Sequence, residues 1–292
     1  MKKHIIKIIL LLFMFHSTMG QELNALLNAY IGENAKEYIQ PVVDLFGANL
    51  NTGRSEWAKL DSGFHIRITA IGSSSFPVKK MKVFEAASPA NFIPTSINSV
   101  PTIIGKNESL TITGINETGY SYAPGYNVNH FLLLAPQISA GSFFNTELTA
   151  SYIAFDLEDD FGKLNYFGAG FRHTLDNYIA KLPFSLNIGY MFQSLDVGDE
   201  ISIKSHLPSI WLGKASKKLS CQLMMGYQIT DAKLSYTYTG GTSAETVALE
   251  LKNETPLFAE ISAGLKLGFL VLHAAGSYSG PFTGAVGLTF KF

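Results

Sequence analysis

Histidine is the residue type in this chain best suited to metal binding or acid–base chemistry, and beyond residue 20 it occurs at five separate places. Metal sites often bring two ligands close together in sequence, as in an HExxH helix. The histidines here fall in different segments, without such a pair. We therefore predict polar groups in or at the edge of a fold, and no metal or other cofactor. The five residues are His65, His130, His173, His206 and His273.

Hydrolytic chemistry has two candidate positions, Asn129-His130 and Asp159-Asp160. Hydrolases combine a serine or an acidic pair with a histidine. Both positions lie near the ends of predicted strands, where polar residues are common. The glycine-rich Gly168–Phe171 lacks the GxGxxG spacing and the strand-to-helix switch of a nucleotide loop. We predict that the protein is not an enzyme, and a hydrolase is the least favoured of its functions.

The composition departs from that of a soluble domain. Hydrophobic residues make up 47% of the 292 residues and charged residues only 15%, with 26 Gly, 13 Tyr and 21 Phe. About a quarter of the residues in soluble domains are charged, so these charges are too few to cover an ordinary surface. The formal net charge of −1 argues against nucleic acid as a partner.

From about Phe64 onward, apolar residues recur with a period of two, so that one face of each segment is apolar and the other polar. Strands of a soluble sandwich average about five or six residues. Segments of about ten residues instead suit tilted strands that cross the apolar band of an outer membrane. The clearest segments are Phe144–Ala154, Leu182–Phe192, Leu219–Tyr227 and Leu257–Leu267.

A sheet in lipid must close, because an open edge would leave backbone N–H and C=O groups unpaired. We predict an all-β fold, a transmembrane antiparallel up-and-down β-barrel of about twelve strands, within a range of roughly ten to fourteen. The outer connections are predicted at Asp156–Asp160, Asp196–Glu200, Gly240-Gly241 and Gly280-Pro281, and the inner ones at Thr174–Lys181, Lys214–Lys218 and Gly268.

Polar residues on the face opposite the apolar one would line the barrel interior. Because this set carries both signs of charge, it predicts neither a strongly anion-selective nor a strongly cation-selective pore. Internal salt bridges that fill a narrow barrel are an equal alternative. The predicted lumen-facing residues are Arg67, Lys82, Glu147, Lys204, His206, Glu260, Lys266 and Lys291.

The first part of the chain follows other rules. Residues 1–20 join lysines to a short apolar run and then small residues, which predicts a signal peptide. Residues 21–60 carry two stretches at helical spacing, Leu23–Ile31 and Tyr38–Phe46, with Pro41 restraining the second. We predict two short helices that plug the barrel or form a periplasmic segment.

The barrel domain is then predicted over residues 61–292. Within it, residues 87–129 contain several Pro, Gly, Asn and Ser residues, and we predict a long irregular loop region with short strands. The hairpin around Gly240 keeps its alternation far along the chain, so it is expected to extend well beyond the bilayer.

The last strand ends on Phe292. This ending is similar to the C-terminal aromatic that outer-membrane barrels present to their insertion machinery. The resemblance implies the outer membrane of a Gram-negative bacterium, reached through the periplasm. It implies as partners outer-membrane lipid, lipopolysaccharide and, through Phe292, the barrel-insertion machinery. A monomer is expected.

Several short phrases resemble an uncharacterised family of Gram-negative outer-membrane β-barrel proteins, a domain of unknown function. The family implies a barrel preceded by a helical N-terminal segment and supplies no activity or functional residue. The phrases span nearly the whole chain after the signal peptide and lie at Tyr38–Gly53, Pro101–Gly105, Ala135–Leu148, His173–Tyr190 and Ala215–Ser220.

Three functions follow from this picture. The first is passage of a small or hydrophobic solute, by analogy with fatty-acid transporters whose barrels hold an N-terminal plug. The alternative is a structural or surface-interaction barrel without conductance, which binds through residues 87–129 and the Gly240 hairpin. An outer-membrane hydrolase is third.

Overall fold

The computed structural model describes residues 33–61, 63–88, 92–95, 99–115, 117–156, 162–179, 182–238 and 245–292. Four sequence predictions lie outside these residues and stay predictions. They are the signal peptide at 1–20, the first helix at Leu23–Ile31, and the Asp159-Asp160 and Gly240-Gly241 positions.

One helix, α1 (Glu33–Asn51), precedes the strands. It includes the predicted second helix, Tyr38–Phe46, and continues beyond it, with Pro41 in its interior. Nearly every residue of its C-terminal half is buried, because that half stands inside the barrel. No helix in the described part of the chain has the length and apolar character needed to cross a membrane.

Strands account for most of the remaining described residues. They are β1 (His65–Phe76), β2 (Val83–Glu85), β3 (Ser99–Pro101), β4 (Leu110–Thr113), β5 (Gly119–Tyr122), β6 (Phe131–Phe143), β7 (Thr146–Asp156), β8 (Lys163–Thr174), β9 (Ser185–Val197), β10 (Ile201–Ala215), β11 (Leu219–Tyr227), β12 (Ile229–Tyr238), β13 (Glu245–Lys252), β14 (Leu257–Leu267), β15 (Leu270–Tyr278) and β16 (Phe282–Lys291).

Ten of these strands close into an antiparallel barrel. Their order around the described wall is β1, β6, β7, β8, β9, β10, β11, β14, β15 and β16, and β16 pairs back with β1. Each wall strand pairs with a neighbour on both sides, although β6 and β7 pair only through Ile138–Phe143 and Thr146–Ala150. The predicted all-β antiparallel barrel is therefore confirmed.

The remaining long strands, β12 and β13, form a hairpin that extends the wall. The last part of β10, Ser209–Ala215, pairs with β11, whereas its first part, Ile201–His206, pairs with β12. Since β12 continues directly from β11 and β13 leads into β14, the hairpin is an outward extension of two wall strands. Ten wall strands and two extension strands agree with the predicted number of about twelve.

The barrel has two unlike rims. At the terminal rim, where β1 begins and β16 ends, the described connections are short, such as 216–218 and 268–269. At the opposite loop rim lie the long 77–130 connection and the β12–β13 extension. The predicted outer connections at Asp196–Glu200 and Gly280-Pro281 lie at the loop rim, and the predicted inner connections at Lys214–Lys218 and Gly268 lie at the terminal rim.

The two faces of the wall differ in polarity. Large apolar side chains point outward and are exposed, among them Ile188, Ile210, Leu223, Ile261 and Val286. The inward face is polar and buried, with Thr69, Gln137, Ser151, Gln193, Ser262 and Thr289 among its members. An apolar exterior around a polar interior is the arrangement of a barrel that stands in lipid.

A cap covers the loop rim, built by residues 79–128 of the long connection. It holds a 3₁₀ turn at Lys79–Lys82 and two short hairpins, β2–β3 and β4–β5. Short strands within 87–129 thus occur as predicted. Apolar residues of the cap pack against the N-terminal half of α1 and the extension in one core, which includes Tyr38, Phe84, Val100, Ile104, Tyr236 and Leu249.

Candidate functional site: the plugged lumen

Residues 33–61, here called the plug, pass through the whole lumen. Near the start of the plug, Gln40 Nε2 donates to the carbonyl of Lys252 on the extension, 2.7 Å away. At its end, Asp61 Oδ1 lies 2.7 Å from Lys291 Nζ at the terminal rim. The helix therefore begins at the loop rim, and the chain leaves the lumen at the terminal rim, where β1 starts.

Apolar contacts hold the plug at the loop rim. Tyr38, Val43 and Leu45 are fully enclosed in the core shared with the cap. Two hydrogen bonds add to this packing: Ile103 N donates to the backbone carbonyl of Tyr38 at 3.0 Å, and the side-chain Oη of Tyr38 donates to Pro124 O at 2.7 Å. This half of the plug is packed like the interior of a soluble domain.

Polar contacts replace apolar ones in the middle of the lumen. Hydroxyl, amide and carboxylate groups of the wall bind the plug on several sides of the barrel. The bonds join Asn49 Nδ2 to Phe131 O (2.7 Å), Asn51 Nδ2 to Ser205 Oγ (2.8 Å), Thr52 Oγ1 to Ser277 Oγ (2.6 Å), Gly53 N to Glu260 Oε2 (2.8 Å) and Gln137 Nε2 to Arg54 O (3.1 Å).

Gly47 brings the helix close to the wall at this level. A Cβ at this position would lie 2.6 Å from Gln228 Nε2 and 2.7 Å from Thr230 Oγ1. The absence of a side chain thus lets the helix backbone approach β12 and its preceding residue.

An ion cluster closes the terminal rim. Arg67 Nη1 contacts Glu147 and lies 2.7 Å from Glu56 Oε1, while its Nη2 lies 2.5 Å from Asp61 Oδ2. Arg172 Nη2 lies 3.3 Å from Glu147 Oε1. Arg67, Glu56 and Glu147 are each at least nine-tenths buried. Glu56 and Asp61 belong to the plug, so these pairs fasten plug to wall.

Two further members complete the terminal-rim cluster. His65 Nε2 lies 2.8 Å from Glu147 Oε2, and Lys291 pairs with Asp61. Burial would raise the pKa of Asp61, but hydrogen bonds from Lys291 and Arg67 outweigh it and lower the pKa to about 2. The cluster therefore balances three cations of the wall against two carboxylates of the plug and one of the wall.

Five of the eight predicted lumen-facing residues point into the barrel, namely Arg67, Glu147, Glu260, Lys266 and Lys291. Arg67, Glu147 and Lys291 meet in the terminal-rim cluster. Glu260 lies apart from them and accepts a hydrogen bond from Gly53 N. The structure thus shows internal salt bridges, the alternative that the mixed charges had left open.

The expected lumen position does not hold for Lys82, Lys204 and His206. On β10 the inward residues include Ile203 and Leu207, and Lys204 and His206 face outward. Ile203 lies in the apolar core shared with the cap, and Leu207 packs with Trp211 and Phe258, so apart from Ser205 the inward face of this part of β10 is apolar. Lys82 belongs to the cap, where its Nζ donates to Asn129 Oδ1 at 2.8 Å.

Sequence reasoning missed Arg54, Glu56 and Arg172. A signal existed for Arg172, because it alternates with the outward residues Phe167 and Phe171 on β8. Arg54 and Glu56 lie in the plug between α1 and β1, where the chain has no regular period and so gave no signal.

Candidate catalytic groups are not assembled in the described part of the chain. No three His, Cys, Asp or Glu side chains there are grouped to hold a metal ion. Asn129 accepts its hydrogen bond from Lys82, and His130 lies exposed beside the ring of Phe76. His206 bonds Tyr190 on the outward face.

A cavity of about 200 Å³ opens where plug, cap and extension meet. Phe84 lines its apolar side, and Asp44 and Glu254 lie on its acidic side. Burial raises the pKa of Asp44 to about 6, although Glu254 N donates to its Oδ1 at 2.9 Å; the nearby Glu254 carboxylate adds to the increase. The plug therefore carries a carboxyl at the loop rim that titrates near neutral pH.

Fold and lumen together define a class of protein, an antiparallel membrane barrel closed by its own N-terminal segment. The chain belongs to a family of unknown function, DUF6588, whose model matches residues 1–292. Membership of an uncharacterised barrel family, expected from the sequence, is thereby confirmed. Among curated proteins, none matches this sequence.

Similar solved structures are outer-membrane barrels of Gram-negative bacteria. The outer membrane protease OmpT of Escherichia coli has a TM-score of 0.33 at 10% identity, over 80% of this chain and 99% of that one. The attachment invasion locus protein Ail of Yersinia pestis has a TM-score of 0.29 at 10% identity, over 80% of this chain and 100% of that one. The toluene transporter TodX of P. putida has a TM-score of 0.27 at 8% identity, over 90% of this chain and 95% of that one. Similarity at this level concerns the fold alone.

Proposed function

We propose that the protein is an outer-membrane β-barrel that lets a small polar solute pass when the middle of its plug shifts. The barrel stands in the outer membrane of a Gram-negative bacterium with the loop rim outward. It is closed at rest, because the plug is bonded to the wall from the cap to the terminal-rim cluster.

The polar seam between plug and wall is the observation that carries this proposal. Hydroxyl and amide bonds of the mid-lumen are exchangeable with bonds to water. Several enclosed atoms there lack a hydrogen-bond partner among the described residues: Asn51 Oδ1, Gln193 Nε2, Gln228 Oε1 and both Nη atoms of Arg54. Each such group costs about 1–3 kcal/mol when it stays unsatisfied, so water entering the seam would stabilise the shifted plug.

The same seam favours a polar over a hydrophobic solute. Ser205, Ser277 and Gln137 are among the polar inward residues of the wall that contact the plug. The large apolar side chains that face inward below the cap form a separate cluster on β9, β10, β11 and β14, made by Met191, Leu207, Trp211, Met224 and Phe258, whereas the plug is bonded to polar groups. The proposal includes no catalytic step.

A reversible lock on the plug tests the proposal. Thr52 and Ser277 touch through their hydroxyl oxygens, so the pair Thr52→Cys and Ser277→Cys would place two thiols within reach of a disulfide. Cys221, which is exposed, is replaced by Ser in this protein and in the background control. Uptake of small sugars is then measured by liposome swelling, with the same preparation oxidised and reduced.

We expect uptake in the reduced protein and in the Cys221→Ser background, and none in the oxidised protein. Equal uptake in both redox states, or none in either, would overturn passage through the seam. The oxidised form carries the same substitutions as the reduced form, so side-chain loss cannot explain a difference between them.

Surface interaction is the second candidate, and the ordered cap supports it. The cap shares an apolar core with the plug and the extension and has a cavity of about 200 Å³ beside it, features that passage of a solute does not require. If the locked protein fully restores the phenotype of a deletion strain, binding at the cap is the function. If only the unlocked protein restores the phenotype, passage of a solute is the function.

The proposal also includes the partners expected from the sequence. Lipid and lipopolysaccharide would surround a monomer, and the insertion machinery would recognise Phe292. The backbone N–H of Phe292 donates to Ile66 O at 2.9 Å, and its side chain is 71% exposed. The aromatic ring therefore stays accessible at the edge of the wall.

A further inference from the structure

Arg54 is a buried cation that forms no direct ion pair with a carboxylate of the described chain. Only 7% of the residue is exposed. Its Nε donates to Leu50 O at 2.7 Å, and its guanidinium carbon lies 5.8 Å from the ring centre of Tyr166. Neither Nη atom has a hydrogen-bond partner among the described residues. A guanidinium in such surroundings is strongly destabilised unless something accepts its hydrogen bonds.

The carboxylates of the lumen are engaged elsewhere. Glu56, Asp61 and Glu147 pair with the three cations of the terminal-rim cluster. Glu260 on β14 accepts from Gly53 N and lies within range of the Arg54 charge, but no hydrogen bond joins the two, because Arg54 reaches toward Tyr166 on β8. These two strands lie nearly opposite each other around the wall. Within the described chain, no carboxylate comes within 4.0 Å of Arg54.

The wall beside Tyr166 offers further hydrogen-bond donors. Tyr166 Oη donates to Gln193 Oε1 at 2.7 Å. This bond orients the amide, and Gln193 Nε2 is left without a partner. Ser151 Oγ, also buried, is likewise unsatisfied. Ser151, Gly168 and Gln193 form one cross-strand row on β7, β8 and β9, adjacent to Tyr166 on β8.

We infer that Arg54, Gln193 and Ser151 form a site for a small monovalent anion of the halide class. The site offers a guanidinium, an amide N–H and a hydroxyl, which suit an acceptor with a negative charge. One guanidinium without a directly paired carboxylate matches one charge. The enclosure by plug and wall favours an ion over a larger oxyanion.

The anion would link the plug to two strands of the wall. Arg54 belongs to the plug, whereas Ser151 and Gln193 belong to β7 and β9. Occupancy would therefore stabilise the closed arrangement at mid-lumen, below the apolar core and above the terminal-rim cluster. This inference holds whether or not a solute passes through the barrel.

Bromide is the probe for the location of the site. Crystals of the full-length protein grown in sodium bromide are measured at the bromine absorption edge. We expect an anomalous peak within hydrogen-bond distance of the Arg54 Nη atoms. Water at that position, a peak only elsewhere, or a direct pair between Arg54 and Glu260 would overturn the inference.

Thermal unfolding in detergent gives an independent readout. The midpoint is compared in sodium chloride and in sodium gluconate at equal ionic strength, since gluconate is too large for the site. We expect chloride to raise the midpoint of the wild type, and Arg54→Gln to abolish the difference. Lys204→Gln, which removes a positive charge from the outward face, should retain it.

A second variant keeps the inference testable if Arg54→Gln does not fold. Gln193→Leu keeps the guanidinium and removes the amide donor, so the chloride effect should shrink while the protein still folds. An undiminished chloride effect in Arg54→Gln or in Gln193→Leu would contradict the site. The bromide measurement on the wild type decides the matter if neither variant folds.

Discussion

The two ends of the plug are held by opposite kinds of interaction. At the loop rim, Tyr38 and Leu45 lie in an apolar core shared with the cap. At the terminal rim, Glu56 and Asp61 are bound by the charges of Arg67 and its neighbours. Apolar packing is insensitive to direction, whereas buried ion pairs require a fixed geometry. The comparison indicates that the cap end provides cohesion and the terminal end fixes the register of the chain in the barrel.

Loss of Arg67 is the strongest way to break this comparison. Arg67→Gln would leave Glu56 and Glu147 buried without their principal cation, which costs about 3–5 kcal/mol. The midpoint of thermal unfolding in detergent should fall accordingly. Lys291→Gln is the control, because Lys291 is 23% exposed and pairs with Asp61 alone among the described residues. An equal fall in both variants would refute the central role of Arg67.

A cavity in the cap end should rank next. Leu45→Ala removes a fully buried side chain and should lower the free energy of unfolding by roughly 3 kcal/mol, through lost transfer energy and an unfilled cavity. Lys36→Ala, on the more exposed side of the same helix, should have little effect. Denaturant titration measures both. A Leu45 variant as stable as the Lys36 variant would show that the cap core contributes no cohesion.

Asp44 gives the loop rim a pH dependence. Because its pKa rises from 3.8 to about 6 on folding, the folded protein binds the proton more tightly. The contribution of Asp44 to the free energy of unfolding is most favourable below about pH 4. This contribution is lost as the pH rises through about 6, and the total loss is at most about 3 kcal/mol. Asp44→Asn should remove this loss and raise the midpoint at pH 7, since its amide oxygen still accepts from Glu254 N.

Thermal midpoints between pH 4 and pH 7.5 check this prediction. Glu37→Gln serves as the control, because Glu37 is an exposed carboxylate on the same helix and lines the same cavity. If the wild type and Asp44→Asn show the same pH profile, burial of Asp44 does not affect the stability of the plug.

The smallest effect is expected on the extension. Lys233 Nζ lies 2.8 Å from Glu250 Oε1, but both side chains are at least 70% exposed, and exposed pairs gain little because water screens them. Lys233→Ala should leave the thermal midpoint unchanged within error. A clear fall would mean that exposed charges on β12 and β13 matter as much as the buried cluster.

The fold could be predicted from the sequence wherever lipid and lumen impose opposite demands on alternating residues. Leu257–Leu267, for example, shows the apolar outward face that the sequence indicated. The rule failed at Lys204 and His206, because the alternate residues Ile203 and Leu207 pack in apolar clusters inside the barrel and the polar residues of this segment face outward. Period-two alternation reports the surroundings of a strand, and those surroundings change along its length.

The site was harder to predict than the wall. Residues 52–61 follow no regular period, so nothing in their spacing showed that Arg54 and Glu56 would lie in the lumen. Arg67 contacts both Glu56 of the plug and Glu147 on β7. Only the fold brings β7 next to the first two residues, because Glu147 is far from them in sequence. Only Arg172 had a local signal, its alternation with outward phenylalanines.

The direction of α1 has a consequence for how the molecule is made. The helix enters at the loop rim and the chain emerges at the terminal rim, yet the barrel is sealed by β1 and β16, the first and last of its wall strands in order of synthesis. Because these two strands are the ends of the wall, their pairing can close the barrel around a plug that already lies in the lumen. The helix would then guide assembly of the wall as well as fill the lumen. A pull on the chain before Glu33 would act on the helix from the loop rim.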